Sequence, residues 1–129
     1  MSAVSDFRGK VEKVFERTPR GLLGLVDDLL RLGGQDGLSL TWHDGRCCVR
    51  TLSGGPQEAT EIRVPKSVFR AILARVAVLC NERSRDSVWP YGGEGELAMS
   101  HGSASLLRIE FVNRPGEQRL VIDQVSGKT

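Results

Sequence analysis

The chain has little of what usually announces an activity. Cysteine occurs three times, at Cys47, Cys48 and Cys80, an odd number without framework spacing, which excludes a disulfide scaffold. Cys47 and Cys48 adjoin in an expected strand and should point to opposite faces. They read either as a vicinal redox pair or as two small hydrophobes in a reducing compartment. Histidine occurs at His43 and His101 alone, each in an expected turn, whereas a metal site needs three or four converging ligands. Aromatic residues make up 5% of the sequence and the net charge is +2. Neither base-stacking platforms nor a strong electrostatic footprint for nucleic acid follows. The longest apolar run, Ala71–Cys80, is interrupted by Arg75 and is shorter than the roughly 20 residues that cross a bilayer. Residues 1–10 lack the apolar stretch of a secretory signal. The expectation is a soluble, cytoplasmic protein with no cofactor, no metal, no membrane insertion and no nucleic-acid partner.

What remains is ordinary globular composition. The 129 residues are 40% hydrophobic and 26% charged, enough for one core and one domain. Arginine, 14 of the 18 cations, outweighs lysine.

The periodicity predicts helices over Asp6–Arg17, Arg20–Leu32 and Lys66–Glu82. Phe7, Val11, Val14 and Phe15 form the apolar stripe of the first, capped by Ser5 or Asp6 and stopped by Thr18-Pro19. That stripe buries either on its own domain or against a partner subunit. Gly33-Gly34 reads as the C-terminal cap of the second helix. The third is the most apolar and is expected to be largely buried. Period-two alternation predicts strands at Leu38–Trp42, Arg46–Leu52, Glu58–Val64, Glu94–Met99, Ala104–Asn113 and Glu117–Asp123. His43-Asp44-Gly45-Arg46 is a hairpin signal. Loops fall at Ser53–Pro56, Arg83–Gly93, Ser100–Ser103 and Arg114–Gly116, with a frayed tail over 125–129. The order ααβββαβββ reads as an α+β domain in which two antiparallel three-strand meanders surround one central buried helix. The division is an N-terminal helix over 1–18, a single domain over 19–124, and the tail.

Catalytic motifs are weak. Ser126-Gly127-Lys128-Thr129 is similar to the end of a phosphate-binding loop, but Ile122 stands where the pattern needs glycine. Ser103 and His101 could join an acid in a triad, yet nothing resembles a nucleophile elbow. Two surface features carry more interest. Arg46, Arg50, Arg63, Arg108, Glu110, Arg119 and Asp123 alternate along strands. They form either a solvated face of cross-strand pairs or, through Arg50, Arg63, Arg108 and Arg119, a docking face for an acidic partner. Trp89-Pro90-Tyr91 is the one aromatic cluster in a loop. It reads as an interface, with Trp89 and Tyr91 as anchors, or as a lid on the core.

From Leu25 onward the chain resembles the second N-terminal domain of the type II secretion and type IV pilus assembly ATPases, a PAS-like domain that precedes their nucleotide-binding domain. Four segments carry the resemblance: Leu25–Asp36, Cys48–Gly54, Val64–Cys80 with Ala74-Arg75-Val76-Ala77-Val78-Leu79, and Leu107-Arg108-Ile109 followed by Pro115-Gly116-Glu117. The chain departs from the family at Gly37–Leu40, at Ala77 in place of lysine, at Pro90–Gly93 and at Ile122 in place of arginine. Arginines of the family's domain can approach the ATPase's nucleotide; here only Arg75, Arg108 and Arg50 have matching positions, and these 129 residues are expected to act without the ATPase domain. The resemblance implies a free-standing bacterial relative that is not an enzyme. It would be a protein-interaction or regulatory module whose partner is a secretion or pilus ATPase or a second copy of itself. The alternative is a PAS-like small-ligand sensor, which requires a cavity beside the Lys66–Glu82 helix.

Overall fold

Two strands that each turn a pair of large aliphatic residues inward meet at the middle of the sheet. Leu38 and Leu40 lie level with Ile122 and Leu120, all four shut off from solvent. A computed structural model of the chain describes residues 3–16, 21–52, 59–98 and 106–125. Among them are helices α1 (Ala3–Phe15), α2 (Gly21–Asp36) and α3 (Lys66–Arg83), and strands β1 (Leu38–His43), β2 (Arg46–Thr51), β3 (Thr60–Arg63), β4 (Gly92–Ala98), β5 (Leu106–Arg114) and β6 (Glu117–Gln124). α1 begins at Ala3, so Ser5 and Asp6 lie within its first turn rather than capping it. The expected stop at Thr18-Pro19, the loops over 53–56 and 100–103, and the 126–129 segment lie outside the described residues.

The class is α+β, but the arrangement differs from two meanders around a helix. The meanders β1-β2-β3 and β4-β5-β6 fuse through β1 and β6 into one six-stranded antiparallel sheet of order β3-β2-β1-β6-β5-β4. The reason lies in the two strands that join. Their inward aliphatic residues, Leu38 and Leu40 of β1 and Ile122 and Leu120 of β6, fall in the same register, so pairing the strands makes one continuous apolar face.

All three helices cover that face. α2 packs on β6, α3 on β4 and β5, and α1 against α2 and β3. α3 is therefore half-buried rather than enclosed. Phe69, Ile72, Leu73, Val76, Ala77 and Cys80 point into the core, while Val68 and Val78 face solvent. The stripe of α1 buries on its own chain: Phe7 and Val11 belong to the same core as α2 and the sheet. Each fully buried Leu or Ile contributes roughly 1.5–3 kcal/mol by leaving water.

Two glycines decide local geometry. α2 does not stop at Gly33-Gly34 but runs to Asp36, and the left-handed residue beyond it is Gly37, at φ +76°. Gly33 is instead a packing residue. A Cβ there would lie 2.5 Å from Cγ2 of Ile122, so its absence lets α2 close on β6. The β1–β2 turn matches its sequence signal, with Asp44 and Gly45 both at positive φ. No helix among the described residues is long and apolar enough to cross a membrane.

Candidate interaction surface

Pleat parity assigns every second residue of each strand to the face that no described helix covers. β3 presents Glu61 and Arg63; β2 presents Arg46, Cys48 and Arg50; β1 presents Ser39, Thr41 and His43. On the other side β6 presents Glu117, Arg119, Val121 and Asp123. β5 presents Leu106, Arg108, Glu110, Val112 and Arg114, and β4 presents Gly92, Glu94, Glu96 and Ala98.

The four arginines singled out in sequence do share this face, but they are spread across it. Arg50 and Arg63 stand on β2 and β3, Arg119 on β6 and Arg108 on β5. Carboxylates interleave with them. Arg46 reaches Glu61 at 3.4 Å. Arg119 reaches Glu117 at 3.1 Å and Glu110 at 3.7 Å. Arg108 lies level with Glu96 and Asp123 on its two neighbouring strands. Among the described residues, Arg50 and Arg63 have no such ion pair. These are exposed contacts, each worth about 0–1 kcal/mol. They leave an uneven balance, because the half built from β1, β2 and β3 carries three arginines and one glutamate. The half built from β4, β5 and β6 carries three arginines and five carboxylates.

Trp89 and Tyr91 sit at the β4 edge. The lid reading does not hold, because Trp89 is 75% and Tyr91 62% exposed. The residue that plugs the core is Val88, buried over Gly95, where a Cβ would lie 2.9 Å from Cγ1 of Val88. Asn81 on α3 pins this loop twice, accepting from the Val88 N–H at 3.0 Å and donating to the Val88 carbonyl at 3.2 Å. Ser87 Oγ donates to the Cys80 carbonyl at 3.1 Å. Past the plug, Trp89 and Gly92 exchange backbone hydrogen bonds of 3.0 and 3.2 Å, and the Asn113 N–H donates to the Tyr91 carbonyl at 2.8 Å. The backbone is thus fixed while two aromatic rings stand in water.

Glycine makes room beside them. Gly92, at φ +149°, has the Phe111 carbonyl oxygen 2.7 Å from where a Cβ would stand. A groove of about 420 Å³ opens there, lined by Trp89, Tyr91, Gly92, Phe111, Val112 and Arg114. Because Gly92 and Val112 are level on the helix-free face, the groove continues onto the sheet. Sequence reading named the aromatics but missed Asn81, Gly92 and Val112. The glycine pair Gly92-Gly93 beside an aromatic was the available signal.

The remaining candidates resolve into structural roles. Cys47 points into the core and Cys48 to the open face; both are free, as is Cys80. Burial, with a smaller effect from neighbouring Cys48, pushes the Cys47 thiol up to about 12. Burial alone pushes Cys80 up to about 11. Neither is a thiolate near neutrality, so neither is a nucleophile. His43 lies 3.2 Å from Asp44 at an exposed turn, and His101 lies outside the described residues. Trp42 donates its indole N–H to the Val64 carbonyl at 2.7 Å, with the Lys66 ammonium 5.8 Å from its ring centre. Ile122 fills the core as a central-strand residue. No group of three or more His, Cys, Asp or Glu suited to a metal occurs among the described residues.

Fold and surface thus define an α+β protein with one charged sheet face that no described helix covers. Compared with known proteins, the chain matches no family model and no curated sequence.

Proposed function

We propose that this chain acts in the cytoplasm as a non-catalytic protein-interaction module. In this reading it is related to the PAS-like second N-terminal domain of the type II secretion and type IV pilus assembly ATPases. Its partner is a secretion or pilus ATPase or a second copy of the chain. The observation that carries the proposal is the pair Trp89 and Tyr91, held rigidly by backbone hydrogen bonds yet mostly exposed. Ordered aromatics in water are the usual anchors of interfaces, because little entropy is lost when a partner covers them. The order of the four resemblance segments supports the family relation. Leu25–Asp36 lies on α2, Cys48–Thr51 on β2, Lys66–Cys80 on α3, and Leu107–Ile109 with Pro115–Glu117 on the β5–β6 hairpin.

The small-ligand sensor finds less support. Phe69, Ile72 and Leu73 fill the core beside α3. The grooves of about 260 Å³ between α1 and α2, about 460 Å³ near Arg83 and Arg108, and about 420 Å³ at Trp89 lie at the surface.

The test is co-purification of the tagged chain from native extract, beside its Trp89→Ala/Tyr91→Ala variant. A partner retained by the parent chain and lost by the folded variant is the expected result. Equal recovery with both, or none with either, overturns the proposal.

A further inference from the structure

The helix-free sheet face has two properties that together select an occupant. Its halves carry opposite charge, about two units positive over β1–β3 and two negative over β4–β6. Across its middle runs a row with less charge, Glu61–Cys48–Thr41–Arg119–Val112–Gly92, in which two of six residues are ionised. A surface with one positive and one negative half is complementary to itself. We propose that a second copy of this chain covers the face, related by a two-fold axis parallel to the strands between β1 and β6. The proposal rests on the interaction-module reading and names its partner.

The axis follows from the charges. A two-fold axis lying across the strands would put the cationic half of one copy on the cationic half of the other. An axis along the strands carries β2 over the second copy's β5 and β3 over its β4, and it keeps the rows level. Arg50 then faces Glu110 of the second copy, and Cys48 faces its Val112. Among the described residues Arg50 has no ion pair of its own, and Cys48 and Val112 are partly exposed apolar groups. Isologous pairing makes each contact occur twice. At the hairpin end Arg46 approaches Arg114 of the second copy. Arg46 is already paired with Glu61 and Arg114 is level with Glu117, and the roughly 30° angle between packed sheets opens that corner.

The area is sufficient. Six strands about 4.8 Å apart and about six residues long cover roughly 600 Å² per copy, about 1,200 Å² for the pair. Specific interfaces begin near 1,000 Å². The expected dimer is therefore weak and salt-sensitive, because exposed charge complementarity is screened.

Light scattering coupled to size exclusion, at about 200 µM chain and about 50 mM salt, should give close to twice the chain mass, falling towards the monomer near 1 M salt. Arg50→Glu/Arg63→Glu makes the whole face acidic, and Glu94→Arg/Glu110→Arg makes it basic. Each variant should weaken self-association at least about tenfold. Mixed in equal amounts they should regain the dimer, since the two faces now complement each other throughout. Circular dichroism checks that each is folded. Should a variant not fold, Val112→Cys provides the second measurement. A short bismaleimide should join it to native Cys48 of another copy, while Val68→Cys on the helix side stays uncoupled. A chain monomeric at the higher concentration, reversed variants that dimerise normally, mixtures that stay monomeric, or equal cross-linking at Val68→Cys each overturn the proposal. If the chain is monomeric yet Trp89 and Tyr91 still capture a partner from extract, only the dimer fails. If they capture nothing, the interaction-module reading fails with it.

Discussion

Gly33→Ala should destabilise the protein, although alanine is the better helix former. In an exposed helix the exchange stabilises by about 1 kcal/mol. Here the added methyl would lie 2.5 Å from Cγ2 and 2.8 Å from Cβ of Ile122, against an ordinary carbon–carbon separation of about 3.5–4.0 Å. Ile122 cannot retreat. It is fully buried, and β6 is hydrogen-bonded to β1 on one side and β5 on the other. The overlap involves Cβ as well as a methyl, so a rotamer change does not relieve it. α2 must lift by about 1 Å, loosening Val26, Leu29 and Leu30 from the sheet. Overpacking of this kind costs about 1–3 kcal/mol, so after the propensity gain the net loss is up to about 2 kcal/mol. Urea denaturation followed by circular dichroism measures it. Gly9→Ala is the control, since nothing lies within 4 Å of a Cβ there, and it should gain stability by up to about 1 kcal/mol. In an Ile122→Ala background the Gly33→Ala loss should shrink by at least about 1 kcal/mol, as coupling between touching residues requires. A Gly33→Ala protein stabilised to the same degree as Gly9→Ala, or strictly additive effects with Ile122→Ala, would refute the reasoning.

The buried thiols make stability fall in alkali. Cys47 and Cys80 are held protonated in the folded chain, up to about 12 and about 11, while unfolding returns them to the ordinary 9.0. Their contribution is complete below pH 9 and is lost as pH rises from there through the folded values, because the unfolded chain then sheds protons that the folded one keeps. Cys47→Ala should flatten the fall of denaturation midpoint between pH 9 and about 11 relative to its own value at pH 8; an unchanged slope would contradict the assignment. Near pH 8 a thiol reagent should modify Cys48 well before Cys47 or Cys80, read as one fast thiol and two that react only on unfolding. Asn81→Ala removes both side-chain bonds to Val88 and leaves a buried N–H and carbonyl unpaired. The loss should be about 1–3 kcal/mol, measured by denaturation, with faster amide exchange confined to the Val88–Gly92 loop.

Elements marked by local signals were legible. The α2 and α3 stripes, the Asp44-Gly45 hairpin and the inward positions Leu38, Leu40, Leu120 and Ile122 follow from period and turn chemistry. Two readings went astray because one residue type serves two purposes. Gly33-Gly34 has the composition of a helix cap, yet Gly33 is small so that Ile122 can sit beneath it. The true cap, Gly37, is distinguished only by where α2 ends against Leu52. The apolar helix α3 reads as enclosed on composition, but Val68 and Val78 lie on its outer side because all the helices share one face of the sheet. Trp89 and Tyr91 read in sequence as a lid or as an interface. The lid is ruled out by Val88, whose seat over Gly95 fills the core and leaves its aromatic neighbours outside.

The candidate site was legible one residue at a time and not as a surface. Every arginine and carboxylate of the open face is a polar residue at an alternating position, and alternation reveals only that it points away from the core. Which charges become neighbours depends on strand order, and strand order turns on the pairing of β1 with β6, the first and last described strands in sequence. Two separate meanders would have presented two unrelated surfaces. The β1–β6 junction makes them halves of one plane, the arginine-rich half on one side and the carboxylate-rich half on the other. It also puts the boundary between them at the middle of the sheet, where an axis parallel to the strands superimposes each half on its opposite. The charge pattern thus becomes self-complementary through topology. A register slip of one residue along β6 would turn Arg119, Val121 and Asp123 inward and bring Leu120 and Ile122 to the surface, abolishing the core together with the proposed interface.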